Sequence, residues 1–261
     1  MNAPRHQRVV HSMAMPFTVD VEGIDTRAAF DGAVAAFHAD LEWSNAVFSL
    51  WDPSTPLSRY ARGEITVDEC PPEVGDVLDL CDHYRGLTGG AFNAERPDGT
   101  VDPTGIVKGW AVERAARHLV QAGATDWLVG ASGDVWTAEG ARSRRLGIAD
   151  PREVGDPQGK PVVDVVELGG ERRALATSGG AQDEDHIWDP VTGLPARHIR
   201  QASVIGASLV EADAWATAIV AGGIEVVPLA TAAGLEVLVV TGVRIDGTLA
   251  AQASPGWPSV L

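Results

Sequence analysis

Apolar and polar residues alternate along Phe17-Thr18-Val19-Asp20-Val21-Glu22-Gly23, and from Thr26 to Leu41 the spacing of Ala, Phe and Val shifts to a helical repeat. The chain is therefore expected to open with a strand and then a helix. Residues 1–15 read as a flexible N-terminal segment and 16–261 as one domain. Val47-Phe48-Ser49-Leu50-Trp51 reads as another strand before a Pro-rich turn. Pro72 to Leu87 predicts a helix ending at Gly89-Gly90, and Arg96 to Pro103 a polar loop. Thr104 is the expected cap of a helix from Gly105 to Gln121, which Gly123 stops, and Trp127-Leu128-Val129 follows as a short buried strand. From Arg145 to Thr177 short apolar runs such as Leu146-Gly147-Ile148 and Pro161 to Leu168 alternate with Pro, Gly and Asp turns, the mark of antiparallel strands. Ser203 to Ala207 and Leu235 to Thr241 add two strands around a helix with a Ser208/Glu211 capping-box spelling at its start and Gly222-Gly223 at its end. Helices and strands mix without strict β-α-β alternation, so the expected class is α+β: one domain with two lobes, mixed or antiparallel sheets and flanking helices.

A chain of 261 residues that is 45% hydrophobic can bury a substantial core in one unit. Its formal net charge of -16 at pH 7 disfavours nucleic acid and anionic membrane as partners, because both would be repelled. An anionic small molecule would need its charge met locally by a metal, a lysine or backbone amides. Cys70 and Cys81 match neither a zinc site nor a disulfide framework, so both read as packing thiols in a reducing compartment. The polar start, Met1 to Arg8, leads into no signal-length apolar run, and no stretch is long enough to span a bilayer. A cytoplasmic protein without membrane insertion is expected.

Chemistry concentrates in five segments. Asp213 and Thr217 stand four residues apart on the helix after Ser208, so both oxygens face one way and suit a hard cation. The alternative is an aspartate near the positive end of a helix dipole and a threonine bonded to the preceding turn. Val101-Asp102-Pro103-Thr104-Gly105-Ile106-Val107-Lys108 puts a lysine beside the free amides of a helix start, a place for phosphate, although the Walker spelling is absent. A solvated lysine on an ordinary helix is the alternative there. Gly130-Ala131-Ser132-Gly133-Asp134 and Ala176-Thr177-Ser178-Gly179-Gly180 end strands with small residues that let a ligand approach the backbone; Asp134 bonds either a ligand group or its own turn. His186, followed by Ile187-Trp188-Asp189-Pro190, is the histidine best set to act as a general base, with Asp185 and Asp189 nearby.

Taken in order, Asp102 to Ala111, Gly133-Asp134, Ala176 to Gly179, His186 to Gly193 and Ala212 to Thr217 resemble the ApbE family of FAD:protein FMN transferases, in register from about Phe17 to Thr241. The resemblance implies a two-lobed ApbE-like fold that binds FAD between its lobes. It also implies Mg2+-dependent transfer of FMN to a Ser or Thr hydroxyl of an acceptor flavoprotein, with release of AMP. Carried across, Asp213 and Thr217 would be side-chain magnesium ligands with a backbone carbonyl near Gly105 as the third. Lys108 would face the diphosphate and take part in catalysis. Asp134, Gly133, Thr177 and Ser178 would hold the flavin nucleotide, and His186 would take the proton of the acceptor hydroxyl. Some members hydrolyse FAD to FMN and AMP. The chain departs from the family where Asn-x-Gly-Gly-Asp reads Gly130-Ala131-Ser132-Gly133-Asp134, Met-Gly-Thr reads Met13-Ala14-Met15-Pro16, Gly-Ala-Phe-Asp reads Gly90-Ala91-Phe92-Asn93, and an asparagine near Arg59-Tyr60 is missing. A non-catalytic FAD-binding protein and an FAD diphosphatase are the alternative readings.

Overall fold

The N-terminal pattern builds two strands where one is expected. In the computed structural model, which describes residues 3–96, 98–152, 161–179 and 187–261, β1 (Arg5–Ser12) pairs antiparallel with β2 (Met15–Glu22) along its whole length. Met13 and Ala14 join them with φ of 49° and 59°, the left-handed pair that a two-residue hairpin turn requires. Over residues 5–15 this hairpin corrects the expectation of a flexible segment. Arg5-His6-Gln7-Arg8 carries no apolar stripe to announce a strand, and it is the ladder to β2, with Arg5 paired to Asp20, that orders it.

Helix α1 (Arg27–Phe48) is capped by Thr26, whose hydroxyl accepts the Ala29 N–H at 3.1 Å. It runs past Leu41 and absorbs Val47 and Phe48, which correct the second expected strand. Phe37, Leu41, Ser44, Val47 and Phe48 are all buried at three- or four-residue spacing, and a short apolar run read alone does not separate that period from a strand's. Then follow α2 (Pro56–Ala61), α3 (Pro72–Leu87), α4 (Thr104–Gln121), β3 (Asp126–Ala131), β4 (Asp134–Thr137), β5 (Arg144–Ala149), β6 (Val162–Leu168) and β7 (Ala174–Gly179). After the His186 segment come β8 (Gln201–Gly206), α5 (Leu209–Gly222), α6 (Val227–Ala232), β9 (Glu236–Val243) and β10 (Leu249–Ala253).

Among the described residues, eight strands form one sheet in the order β1-β2-β3-β4-β7-β8-β9-β10, with every neighbouring pair antiparallel, while β5 and β6 pair separately. α1, α4 and α5 pack together on one face, where Phe17, Phe30, Phe37, Leu119 and Trp215 belong to the main core. Leu175, Ile205 and Leu238 of the same sheet turn the other way and meet Ile148, Val166 and Leu168 of the β5–β6 pair in a second, smaller core. The side chains of one strand thus serve both cores through the two-residue period. The expected α+β class, with antiparallel sheets and flanking helices, is the observed one.

α5 is apolar nearly all round and is enclosed by α4, β4, β7 and β8. Its start is satisfied from outside the helix as well as within. Ser208 accepts the Glu211 N–H at 3.2 Å, while Glu113 of α4 accepts from the Ser208 hydroxyl at 2.8 Å and from the Leu209 and Val210 amides at 2.5 and 3.2 Å. Glu113→Ala would strand these half-buried donors. It should cost about 1–3 kcal/mol in urea unfolding, with the m-value unchanged; a loss below a few tenths would show that water replaces the carboxylate.

Candidate active site at the crossing of α4 and α5

The site begins with a glycine inside a helix. A Cβ on Gly109 would lie 3.0 Å from the Leu209 carbonyl oxygen and from Val210 Cα, so its absence lets α4 and α5 meet backbone to backbone. The Gly109 N–H then reaches Asp213 Oδ2 at 3.2 Å. That N–H is the one the helical repeat assigns to the Gly105 carbonyl, so Asp213 draws on the same donor.

Lys108, the preceding residue, places its ammonium 2.8 Å from Asp134 Oδ2 and 3.6 Å from Asp213 Oδ1. Its side chain is 20% exposed, against 0% for Asp134 and 3% for Asp213. Asp134 stands at the start of β4, just after Ser132-Gly133, a two-residue turn with φ of 47° and 99°. Its Oδ1 accepts the Thr177 N–H at 3.0 Å, whereas Oδ2 is buried without a well-aligned donor, so Lys108 meets it as a charge. Burial pushes the Asp213 carboxyl up to about 7; Lys108 pulls it down and Asp134 pushes it further up. Asp134 is raised for the same first reason, with Lys108 opposing. Burial works against the Lys108 charge, but the two aspartates outweigh it and hold the ammonium above its ordinary range. Two carboxyl groups face one ammonium, so the cluster carries surplus negative charge once both are ionised.

One turn further along α5, Thr217 Oγ1 lies 3.3 Å from Ser178 Oγ. A Cβ on Gly105 would stand 3.3 Å from the same Thr217 oxygen and 3.0 Å from the Phe92 ring, so the first turn of α4 lies against Thr217. Thr177, beside Ser178 on β7, turns its hydroxyl to Ser203 at 2.9 Å and gives only its amide to Asp134. The structure thus brings Gly105, Lys108, Asp134, Thr177, Ser178, Asp213 and Thr217 to one place. Gly133 serves the turn that presents Asp134. His186 lies outside the described residues. Thr104 is corrected as a cap: Asp102 does that work, accepting the Thr104 N–H at 3.1 Å and its hydroxyl at 2.6 Å.

The surplus negative charge and the aligned oxygens fit a magnesium ion. Among the described residues no three His, Cys, Asp or Glu side chains cluster as a metal cage. Mg2+ commonly takes one or two carboxylates and completes its shell with water and substrate phosphate. Asp213, Thr217 and the Gly105 carbonyl are the donors on hand, with Ser178 beside them. A groove of about 460 Å3 along Ser143, Glu167, Arg172 and Ser259 lies by the β5–β6 pair and contains none of these residues.

Sequence reading missed Gly109, Glu113 and the capping role of Asp102. For Gly109 a signal existed, since an interior helix glycine costs about 1 kcal/mol against alanine and marks a close approach. For Glu113 none did, because its partners lie about a hundred residues away in the chain.

The model of the ApbE family matches residues 94–239, more than half of the chain. The chain belongs to the ApbE family. This ApbE chain is 34% identical over 174 residues to a protein of Rhodobacter capsulatus named FAD:protein FMN transferase, an alignment covering 62% of the chain and 32% of that protein. It is 29% identical over 142 residues to the Escherichia coli K12 protein of the same name, covering 49% of the chain and 38% of the relative. The chain thus spans about a third of the length of the curated relatives it matches. The flavin transferase ApbE of Vibrio cholerae superposes with a TM-score of 0.78 at 22% identity over 97% of this chain and 98% of that one. The apo flavinyl transferase ApbE of Pseudomonas stutzeri does so with 0.79 at 19% identity over 98% and 96%. These superpositions establish the shared fold.

Lys108→Met tests the charge balance. It leaves two buried carboxylates without a cation and should cost about 3–5 kcal/mol at neutral pH. Asp213 is raised to about 7 with Lys108 pulling it down, so removing the ammonium raises it further, and the deficit against wild type should grow as pH rises above about 7, where wild type is ionised and the variant still holds its proton. A deficit that stays constant from about pH 7 upwards in urea titrations would contradict the arrangement.

Proposed function

We propose that the chain is a Mg2+-dependent FAD:protein FMN transferase, which joins FMN from FAD to a Ser or Thr hydroxyl of an acceptor flavoprotein and releases AMP. The observation that carries this reading is the Lys108 ammonium set between Asp134 and Asp213 beside the start of α4, in a chain of the ApbE family. The names of its relatives support the same chemistry. The partners are FAD and the acceptor, with no nucleic acid and no membrane insertion; no helix among the described residues is long and apolar enough to cross a membrane. The acidic composition and the two free thiols, Cys70 and Cys81, support a cytoplasmic setting.

The FAD diphosphate would lie at the first turn of α4, where Lys108 would meet its charge. Asp213, Thr217 and the Gly105 carbonyl would hold Mg2+, which supplies neutralisation of the charge that grows on the phosphate oxygens as the anhydride breaks. Asp134, fixed by the Thr177 amide, orients Lys108, and Gly133, Thr177 and Ser178 line the nucleotide's approach. His186 takes the proton of the acceptor hydroxyl. That oxygen bonds to the FMN phosphorus, the phosphoanhydride bond breaks, and AMP departs with the electron pair.

Incubation with FAD, Mg2+ and candidate acceptors should give AMP and an acceptor heavier by the FMN moiety in mass spectrometry. AMP without a labelled protein would instead mark a diphosphatase, and FAD binding without AMP a non-catalytic binder. Asp213→Asn keeps an oxygen for the Gly109 amide but removes the charge. It should lower metal-dependent turnover by about two orders of magnitude or more with an unchanged circular dichroism spectrum; full activity would remove Asp213 from the metal site. His186→Ala should cost about 10²–10⁴-fold in kcat while FAD still binds.

A further inference from the structure

Where α4 crosses α5, each helix hands a carboxylate to the backbone of the other. Asp213 of α5 accepts the Gly109 N–H of α4 at 3.2 Å. Glu113 of α4 accepts the Leu209 and Val210 N–H groups of α5 at 2.5 and 3.2 Å, with the Ser208 hydroxyl on the same oxygen at 2.8 Å. The spacing repeats in both helices: amide 109 stands four residues before carboxylate 113, and amide 209 four residues before carboxylate 213. The two bonds therefore form a reciprocal clamp about the contact that Gly109 makes with Leu209 and Val210.

The two halves of the clamp are unequal. Gly109 lies inside α4, so the helical repeat already assigns its N–H to the Gly105 carbonyl, and Asp213 competes for that donor. Leu209 and Val210 open α5, where N–H groups have no partner within the helix and a carboxylate also gains from the helix dipole. Glu113 thus holds the stronger end. Interlocking side chains ordinarily fix how far one helix slides along another, and at Gly109 there is no side chain to interlock. Directional bonds must set the register there, and Glu113 supplies three of them.

We propose that Glu113 is a positioning residue for the transfer reaction: by anchoring the first turn of α5 to α4, it fixes the register that sets Asp213 against Gly109 and Lys108. The inference rests on the functional reading above. Glu113 touches no reacting atom. Its effect runs from Leu209 to Asp213 along α5 and from Glu113 back to Gly109 along α4, and both helices are continuous over those spans. What the clamp uses is the reach of the side chain and its accepting oxygen, so length matters more than charge.

The test uses the full chain with two readouts. One is amide hydrogen exchange of the protein without added metal or FAD, and the other is kcat for AMP release from FAD with Mg2+, with and without candidate acceptors. Glu113→Ala should speed exchange at Gly109, which Glu113 does not touch, about tenfold more than at Phe37 in α1, the reference for overall stability. It should lower kcat roughly 10- to 100-fold. Glu113→Gln keeps the length and the accepting oxygen and should retain most of the wild-type behaviour in both readouts, whereas Glu113→Asp, one methylene short, should behave like Glu113→Ala. Exchange at Gly109 that speeds no more than at Phe37, an unchanged kcat in Glu113→Ala, or an active Glu113→Asp beside an inactive Glu113→Gln would overturn the proposal. A wild type that releases no AMP under any of these conditions would overturn the functional reading and the role in the reaction with it. The exchange arm would still decide whether Glu113 sets the crossing, so the two failures are told apart.

Discussion

Two carboxylates and one ammonium shut away from water where α4 crosses α5 set the terms for the rest of the molecule. Burial opposes ionisation of every member of that group, and each is tolerated only because the others stand within a few ångströms. The arrangement therefore demands a rigid frame. The frame consists of a helix crossing tight enough to require Gly109, a strand end that delivers Asp134, and a neighbouring strand whose Thr177 amide holds that carboxylate in place. On the function proposed above, an acidic protein would gain from this a local place for an anionic dinucleotide, because the cluster would accept a divalent cation that the surface charge alone would not position.

The sheet explains why such a cluster is affordable. Its eight antiparallel strands carry one core under α1, α4 and α5 and a second under the β5–β6 pair, so β7 and β8 are packed on both faces. A residue at the end of such a strand has little freedom to move, which suits Thr177 and Ser178. α5 is enclosed on nearly every side, and its polar residues Asp213 and Thr217 are therefore directed to the few positions where polar partners exist: the Gly109 amide and Lys108 for Asp213, and the Ser178 hydroxyl for Thr217. The outside connections are tied in differently. Glu113 satisfies the start of α5 from α4, and Asp102 satisfies the start of α4 from the chain just before it.

By itself the sequence determined the elements whose signals are local. The helical repeats of α3 and α4, the cap at Ser208, the stop at Gly223 and the alternating pattern of β2 all appear in the structure close to where they are read. The i, i+4 spacing of Asp213 and Thr217 and the family resemblance also marked the residues that now share a site. Tertiary structure alone decided that Arg5–Ser12 is a strand, that Val47 and Phe48 close a helix, and that Lys108 meets two aspartates far along the chain. Local patterns report the period of a helix or strand because side-chain direction repeats within a few residues. Edge pairing, helix crossing and the burial of charge depend on partners distant in sequence, whose contribution exists only once the chain has brought them into contact.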